Sequence, residues 1–110
     1  HALEFYLIGW IADYLDPQDF LSTLFKSTST INRSDYKNPK FDTLCTQADA
    51  LTDPQQRAAL YGQAHQILMD DMPVVPIIFQ KRIALVHTDV QGWRTSQLYV
   101  LPNAMTTKTP

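Results

Sequence analysis

The sequence predicts an α/β fold in which helices pack on a sheet. Three observations carry that reading: an almost wholly apolar run near the start, three Asx-Pro dipeptides that open amphipathic helices, and β-branched runs after the last helix. The 110 residues suffice for one domain with a core, but not for two full domains.

From Leu3 to Ala12 nearly every residue is apolar, without the alternation of a half-exposed strand, so the run reads as a strand covered on both faces. Gly9 lies inside it, where a glycine weakens a strand unless another backbone must come close. Asp16-Pro17, Asn38-Pro39 and Asp53-Pro54 each place an acceptor side chain at a helix N-cap and a proline at the first helical position, where a missing donor costs nothing. The first helix is expected from about Pro17 to Phe25, with Phe20, Leu21, Leu24 and Phe25 on one side. Residues 26 to 37, "KSTSTINRSDYK", are polar and aperiodic, hence a surface loop. The second helix, about Pro39 to Leu51, carries Phe41, Leu44, Cys45, Ala48 and Leu51 at spacings of three and four. The third, about Pro54 to Asp70, carries Leu60, Tyr61, Ala64, Ile67 and Leu68 with the same period. The short link Thr52-Asp53 makes these two an αα-hairpin.

After Met72 the pattern changes to β-branched runs, Val74 to Phe79 and Ile83 to His87, which read as strands with a turn near Lys81. Pro73 and Pro76 keep the first of them near an edge. Val90 to Trp93 reads as a turn centred on Gly92, Leu98 to Leu101 as a last short strand, and "NAMTTKTP" as a frayed tail. There is no internal repeat.

Composition narrows the function classes. Apolar residues make up 45% and charged residues 18%, an ordinary globular balance. With a net charge of -2 and nine scattered Lys and Arg, there is no basic stripe for a nucleic-acid partner. No apolar run reaches the length of a membrane span, and "HALEFYLIGW" lacks the basic start of a signal peptide. A start without an initiating Met, running at once into strand sequence, suggests a fragment of something longer. A single cysteine, Cys45, cannot form an internal disulfide and leaves the redox compartment open.

The chain carries no G-x-S-x-G, H-E-x-x-H, paired C-x-x-C, phosphate loop or dinucleotide-binding glycines. His1, His65 and His87 share no metal-ligand spacing, and each is read as structural. Cys45 falls on the apolar face of its helix and is read as a small buried hydrophobe. The expectation is a non-enzyme with no catalytic residue, metal or cofactor. A small stand-alone α+β enzyme is the rival, for which no nucleophile, base or metal constellation speaks.

The stretch "GWIADYLDP", residues 9 to 17, raises the functional question. Asp16 directly precedes Pro17 and caps the helix, so Asp13 is too early for that job. It follows a strand, and strand ends in open α/β sheets are where ligands meet the protein. Trp10 offers an aromatic wall beside it. The residues alone leave two readings of Asp13: a binding carboxylate, or a solvated turn acid beside a core tryptophan.

"GWIADYLDPQDFL", "YKNPKFDTL", "DPQQRAALYGQAHQIL" and "DMPVVPIIF" stand in the order and spacing of a known family. The chain resembles, over nearly its whole length, the C-terminal part of the oligopeptide and dipeptide solute-binding proteins of bacterial ABC importers. The resemblance implies a fragment of a periplasmic-binding-protein type II-like lobe, with helices on a mixed sheet. Residues 1–80 would be part of the C-terminal ligand-binding lobe and 81–110 strands returning toward the N-terminal lobe. It implies an extracytoplasmic bacterial receptor, periplasmic or anchored at the cell surface, whose partners are a peptide, an importer's membrane permease and the remaining lobe. Asp13 would pair with the ligand's α-ammonium group, Gly9 and Ile11 would make main-chain contacts to the peptide as an added strand, and Trp10 would wall the pocket. Strand addition suits a receptor for many peptides, since main-chain bonds ignore side chains. The alternatives within this fold are a ligand-sensing domain of a transcription regulator and a family member that binds a non-peptide solute.

Overall fold

The computed structural model of the chain describes residues 5–81, 83–93, 107 and 108. They fall into two compact units, residues 1–76 and 77–110. The first holds a 3-10 turn over Pro17–Asp19 and three helices, α1 (Ser22–Phe25), α2 (Pro39–Ala50) and α3 (Pro54–Asp71). The second holds a two-stranded antiparallel ladder of β1 (Val90–Gln91) and β2 (Thr107–Lys108), with Val90 opposite Lys108 and Gln91 opposite Thr107.

All three Asx-Pro pairs cap as expected. Asp16 accepts from the Gln18 N–H, Asn38 from those of Lys40 and Phe41, and Asp53 from that of Gln56, each with proline in the first turn. Such caps each stabilise a helix start by about 1 kcal/mol. α3 ends at Met72, which takes a left-handed conformation with φ 44° while its N–H bonds the Leu68 carbonyl. Pro73 explains the stop, because a residue before proline is driven out of the right-handed helical region.

α2 and α3 pair through the stripes read from their periodicity. Phe41, Leu44, Cys45 and Ala48 from α2 meet Tyr61, Ala64 and Leu68 from α3, and Leu21 completes the buried core. Phe25, Tyr36, Leu60 and Ile67 pack against it half-buried. Tyr36 stands edge-on between Phe25 and Phe41, with ring centroids 6.5 and 5.5 Å away. Asn32 orders the polar loop beneath: its amide donates to the carbonyls of Phe25, Lys26 and Tyr36, and its oxygen accepts from Ser34.

Three expectations need correction. The first helix is not continuous from Pro17 to Phe25 but breaks between the 3-10 turn and α1. Asp19, Leu21 and Ser22 are all buried while Phe20 faces out. On one unbroken helix, residues two apart point away from each other, so both Asp19 and Leu21 turn inward only if the winding changes between them. Second, Leu3 to Ala12, Val74 to Phe79 and Ile83 to His87 are not strands in their described residues. A strand covered on both faces requires neighbours for its ladder and its side chains. Here Phe5 is 85% exposed, Phe79 93% and Leu85 99%, with no ladder partner among the described residues. Third, the tail is not wholly frayed, because Thr107 and Lys108 pair with Val90 and Gln91, a segment expected as a turn. Gly92 does take the turn conformation, with φ 74°. The strand expected at Leu98 to Leu101 lies outside the described residues.

Two measurements check this core. Leu68→Ala should destabilise by roughly 2–5 kcal/mol, as large-to-small core changes do; an unchanged urea midpoint would show that the α3 stripe is misplaced. Cys45 is fully buried, and burial pushes its thiol up to about 11. Only about one thiol in a thousand is then ionised at pH 8, and the thiolate is the species that reacts. Alkylation at pH 8 should therefore track unfolding, and rapid labelling of the native protein would contradict the packing.

Candidate functional site

Residues 9 to 16 form a loop whose ends are fixed by charged groups. At its C-terminal end, Asp16 caps the 3-10 turn with one oxygen and takes a two-pronged bond from Arg57, Nη2 lying 2.8 and 2.9 Å from the two carboxylate oxygens. The other prong of Arg57 donates to the carbonyls of Ala48, at 2.7 Å, and Leu51, at 3.0 Å. Both carbonyls lie at the C-terminal end of α2, where that of Ala48 also accepts the Leu51 main-chain N–H. The guanidinium also stacks over the Tyr61 ring, 5.5 Å from its centroid, so one side chain of α3 holds the end of α2 and the loop together.

Asp49 does the same for the turn and α1. Its carboxylate accepts from Gln18 at 2.9 Å, from Ser22 at 3.0 Å, from the Tyr61 hydroxyl and from Lys26 at 3.4 Å. Burial by itself would raise this carboxyl, but the Tyr61, Gln18 and Ser22 hydrogen bonds and the Lys26 charge outweigh it and hold the group below its ordinary value. Tyr61 is raised in return, first by burial and then by donating to Asp49.

Inside the loop, Asp19 is fully buried and receives two donors on one oxygen. The Trp10 indole N–H reaches its Oδ2 at 2.9 Å and the Asp13 main-chain N–H reaches the same atom at 3.1 Å. Tyr14 donates to Gln18 at 3.2 Å. The Asp13 carboxylate is exposed and makes no hydrogen bond or ion pair with any described residue.

The expected site residues thus lie on one loop. Trp10 is 36% exposed, with its indole N–H turned inward, and Ile11 faces solvent. Gly9 has open space where a side chain would stand, with no described residue beyond its chain neighbours within 4 Å of that position. His65 is exposed, and His87 pairs with Asp89. No group of three or more His, Cys, Asp and Glu among the described residues gathers around a common point. Sequence reasoning missed Asp19, Asp49 and Arg57. Arg57 alone left a trace, standing one helical turn before Tyr61 on the side of α3 that faces α2.

Half-buried ionic contacts thus brace a loop that carries the exposed Asp13 carboxylate and the Trp10 indole. No protein-family model matches the chain. It is 40% identical over 85 residues to the periplasmic oligopeptide-binding protein OppA of Escherichia coli K12, a match covering 77% of this chain and 16% of that protein. It is 30% identical over 89 residues to the dipeptide-binding protein DppE of Bacillus subtilis 168, covering 81% of this chain and 16% of the relative. It is 34% identical over 89 residues to heme-binding protein A of Haemophilus influenzae, covering 79% of this chain and 16% of the relative. The chain thus belongs to a class of solute-binding proteins. Within that class its family is that of the oligopeptide- and dipeptide-binding proteins, of whose length it spans 16%. The relatives are binding proteins rather than enzymes by name, and the family implies an α/β fold.

The Asp49 cluster carries a pH signature. A carboxyl held low in the folded state contributes stability that is complete above its unfolded value near 3.9 and is lost as pH falls through its folded value. Asp49→Asn should lower stability at pH 7 and flatten the acid limb below about pH 4. Urea titrations between pH 2 and 7 check this, and an acid limb identical to wild type would remove Asp49 as its source.

Proposed function

We propose that this chain is the C-terminal portion of an extracytoplasmic bacterial receptor that binds oligopeptides or dipeptides and delivers them to the membrane permease of an ABC importer. In this reading, residues 1–80 belong to the C-terminal ligand-binding lobe and residues 81–110 return toward the N-terminal lobe. The lobe completes a mixed sheet of the type II periplasmic-binding kind, and the receptor is periplasmic or anchored at the cell surface. Asp13 pairs with the ligand's α-ammonium group, Gly9 and Ile11 offer main-chain bonds to the peptide, and Trp10 walls the pocket.

One observation carries the reading. Of the three acids in "ADYLDPQD", Asp16 and Asp19 are committed to the fold, and only Asp13 stands exposed without a partner among the described residues. Open space at Gly9 and the main chain of residues 5–12, which forms no ladder among the described residues, leave room for an added strand. The names of the relatives from Escherichia coli and Bacillus subtilis agree with a peptide ligand. The relative named for heme makes a non-peptide solute the competing outcome.

The test is calorimetry on the full-length protein with alanine di-, tri- and tetrapeptides. Enclosing an α-ammonium takes a charge out of water, and a charge-assisted contact must offset that loss. Asp13→Asn should weaken binding by roughly 2–5 kcal/mol, mostly through faster dissociation. N-acetylation of the peptide should cost wild type a similar amount yet add little on top of the mutation, because both remove one interaction. Two large, fully additive losses would show that Asp13 and the amino group do not meet, and no binding of any peptide would favour the non-peptide solute.

A further inference from the structure

The buried carboxylate of Asp19 is not explained by stability. It is fully enclosed, and its donors among the described residues are a neutral indole N–H and a main-chain N–H. Its second oxygen, Oδ1, has no hydrogen-bond partner among the described residues. A buried carboxylate that meets no cation is costly, and an apolar side chain of similar volume would fill the space without that cost. A half-satisfied buried polar group in a native fold calls for another reason.

That reason lies in what the two bonds fix. Both converge on Oδ2, one from the side chain of residue 10 and one from the main chain of residue 13. They clamp the segment from Trp10 to Asp13 at both ends. The first bond sets the plane of the Trp10 ring. The second holds the nitrogen attached to the Asp13 Cα, and so limits the directions in which the Asp13 carboxylate leaves the chain. We infer that Asp19 is a positioning residue for ligand recognition: it sets the Trp10 ring and the Asp13 carboxylate in one mutual geometry before ligand arrives. The inference rests on the reading of Asp13 as the carboxylate that meets the ligand's amino group. Asp19 touches no ligand itself and acts only through its two neighbours. What the role requires is an acceptor oxygen, not a charge. An asparagine at this position keeps one oxygen for both N–H groups and removes the buried charge.

The experiment uses the full-length protein and Asp19→Asn, Asp19→Ala, Asp19→Ser and Asp13→Asn variants. The serine hydroxyl is too short to reach both donors, and this variant stands in if alanine does not fold. The readout is the ratio of affinities for an alanine peptide with a free and with an acetylated N-terminus. A loss of folded protein moves both affinities together and leaves this ratio unchanged. A second readout is the indole N–H resonance of Trp10 and its exchange with solvent. Wild type and Asp19→Asn should favour the free amine to a similar degree. Asp19→Ala and Asp19→Ser should lose roughly tenfold or more of that preference, the scale of a misaligned charge-assisted contact. Their indole proton should also shift and exchange faster. A folded Asp19→Ala or Asp19→Ser with the preference intact would overturn the inference and leave the role of Asp13 standing. Asp19→Asn losing as much as Asp19→Ala would overturn it too, since charge rather than acceptor geometry would then be responsible. An unchanged ratio in Asp13→Asn would instead defeat the reading on which the inference rests.

Discussion

Arg57 supplies the constraint on which the helical unit turns. Three pieces of chain meet its guanidinium: the capping acid before the 3-10 turn, the carbonyls at the end of α2, and the face of Tyr61 on its own helix. A planar group with donors in a fixed fork satisfies acceptors in several directions at once, which a lysine ammonium on a flexible stem does not do with equal geometry. The apolar stripe of α2 and α3 decides that the two helices pack. It says little about where the loop before the 3-10 turn must sit. That placement comes from charged side chains reaching across tens of residues in sequence: Asp16 to Arg57 of α3, and Asp49 of α2 to Gln18 and Ser22.

The acids between residues 12 and 20 divide the work by their surroundings. Asp16 is half-buried and paired to a cation, so it serves both cap and tether. Asp19 is fully buried and meets two N–H groups among the described residues, so it organises the local backbone. Asp13 remains in solvent, with no cation paired to it among the described residues. Side chains of one kind thus differ in role solely through burial and partner, the factors that govern the energetics of any carboxylate.

The helices were legible in the sequence because their signals are local. An Asx before a proline carries its own acceptor, and a stripe at spacings of three and four needs only a neighbour of matching period; α2 and α3 begin where expected and end within a residue of it. The apolar runs misled because a strand is not a local object. Val74 to Phe79 has every compositional mark of one, yet it forms no ladder among the described residues, since backbone pairing depends on a second segment at the right distance. Asp19 was illegible for a related reason. An acid three residues after a cap looks like an ordinary first-turn charge favoured by the helix dipole, and nothing local says that the winding breaks and turns it inward. In the candidate site, the cap at Asp16 was legible, and with it that Asp13 stands outside the cap.

The bracing of the loop bears on how such a site gains affinity. Binding orders whatever was mobile, and each side chain or loop fixed at that moment detracts from the free energy of the complex. Here the ordering of residues 10 to 19 is accomplished in folding, through Arg57, Asp49 and Asp19, none of which is among the residues proposed to touch a ligand. The residues proposed to touch one are left open to solvent: Asp13 and Ile11 are exposed, and Gly9 is unobstructed. A rigid carboxylate suits the one group that every peptide with a free N-terminus shares. Open main chain beside it suits the parts that differ, since its N–H and C=O groups bond any peptide backbone alike. Physical tension between holding one charge firmly and accepting many sequences is thereby resolved by separating the braces from the contacts along the same short loop.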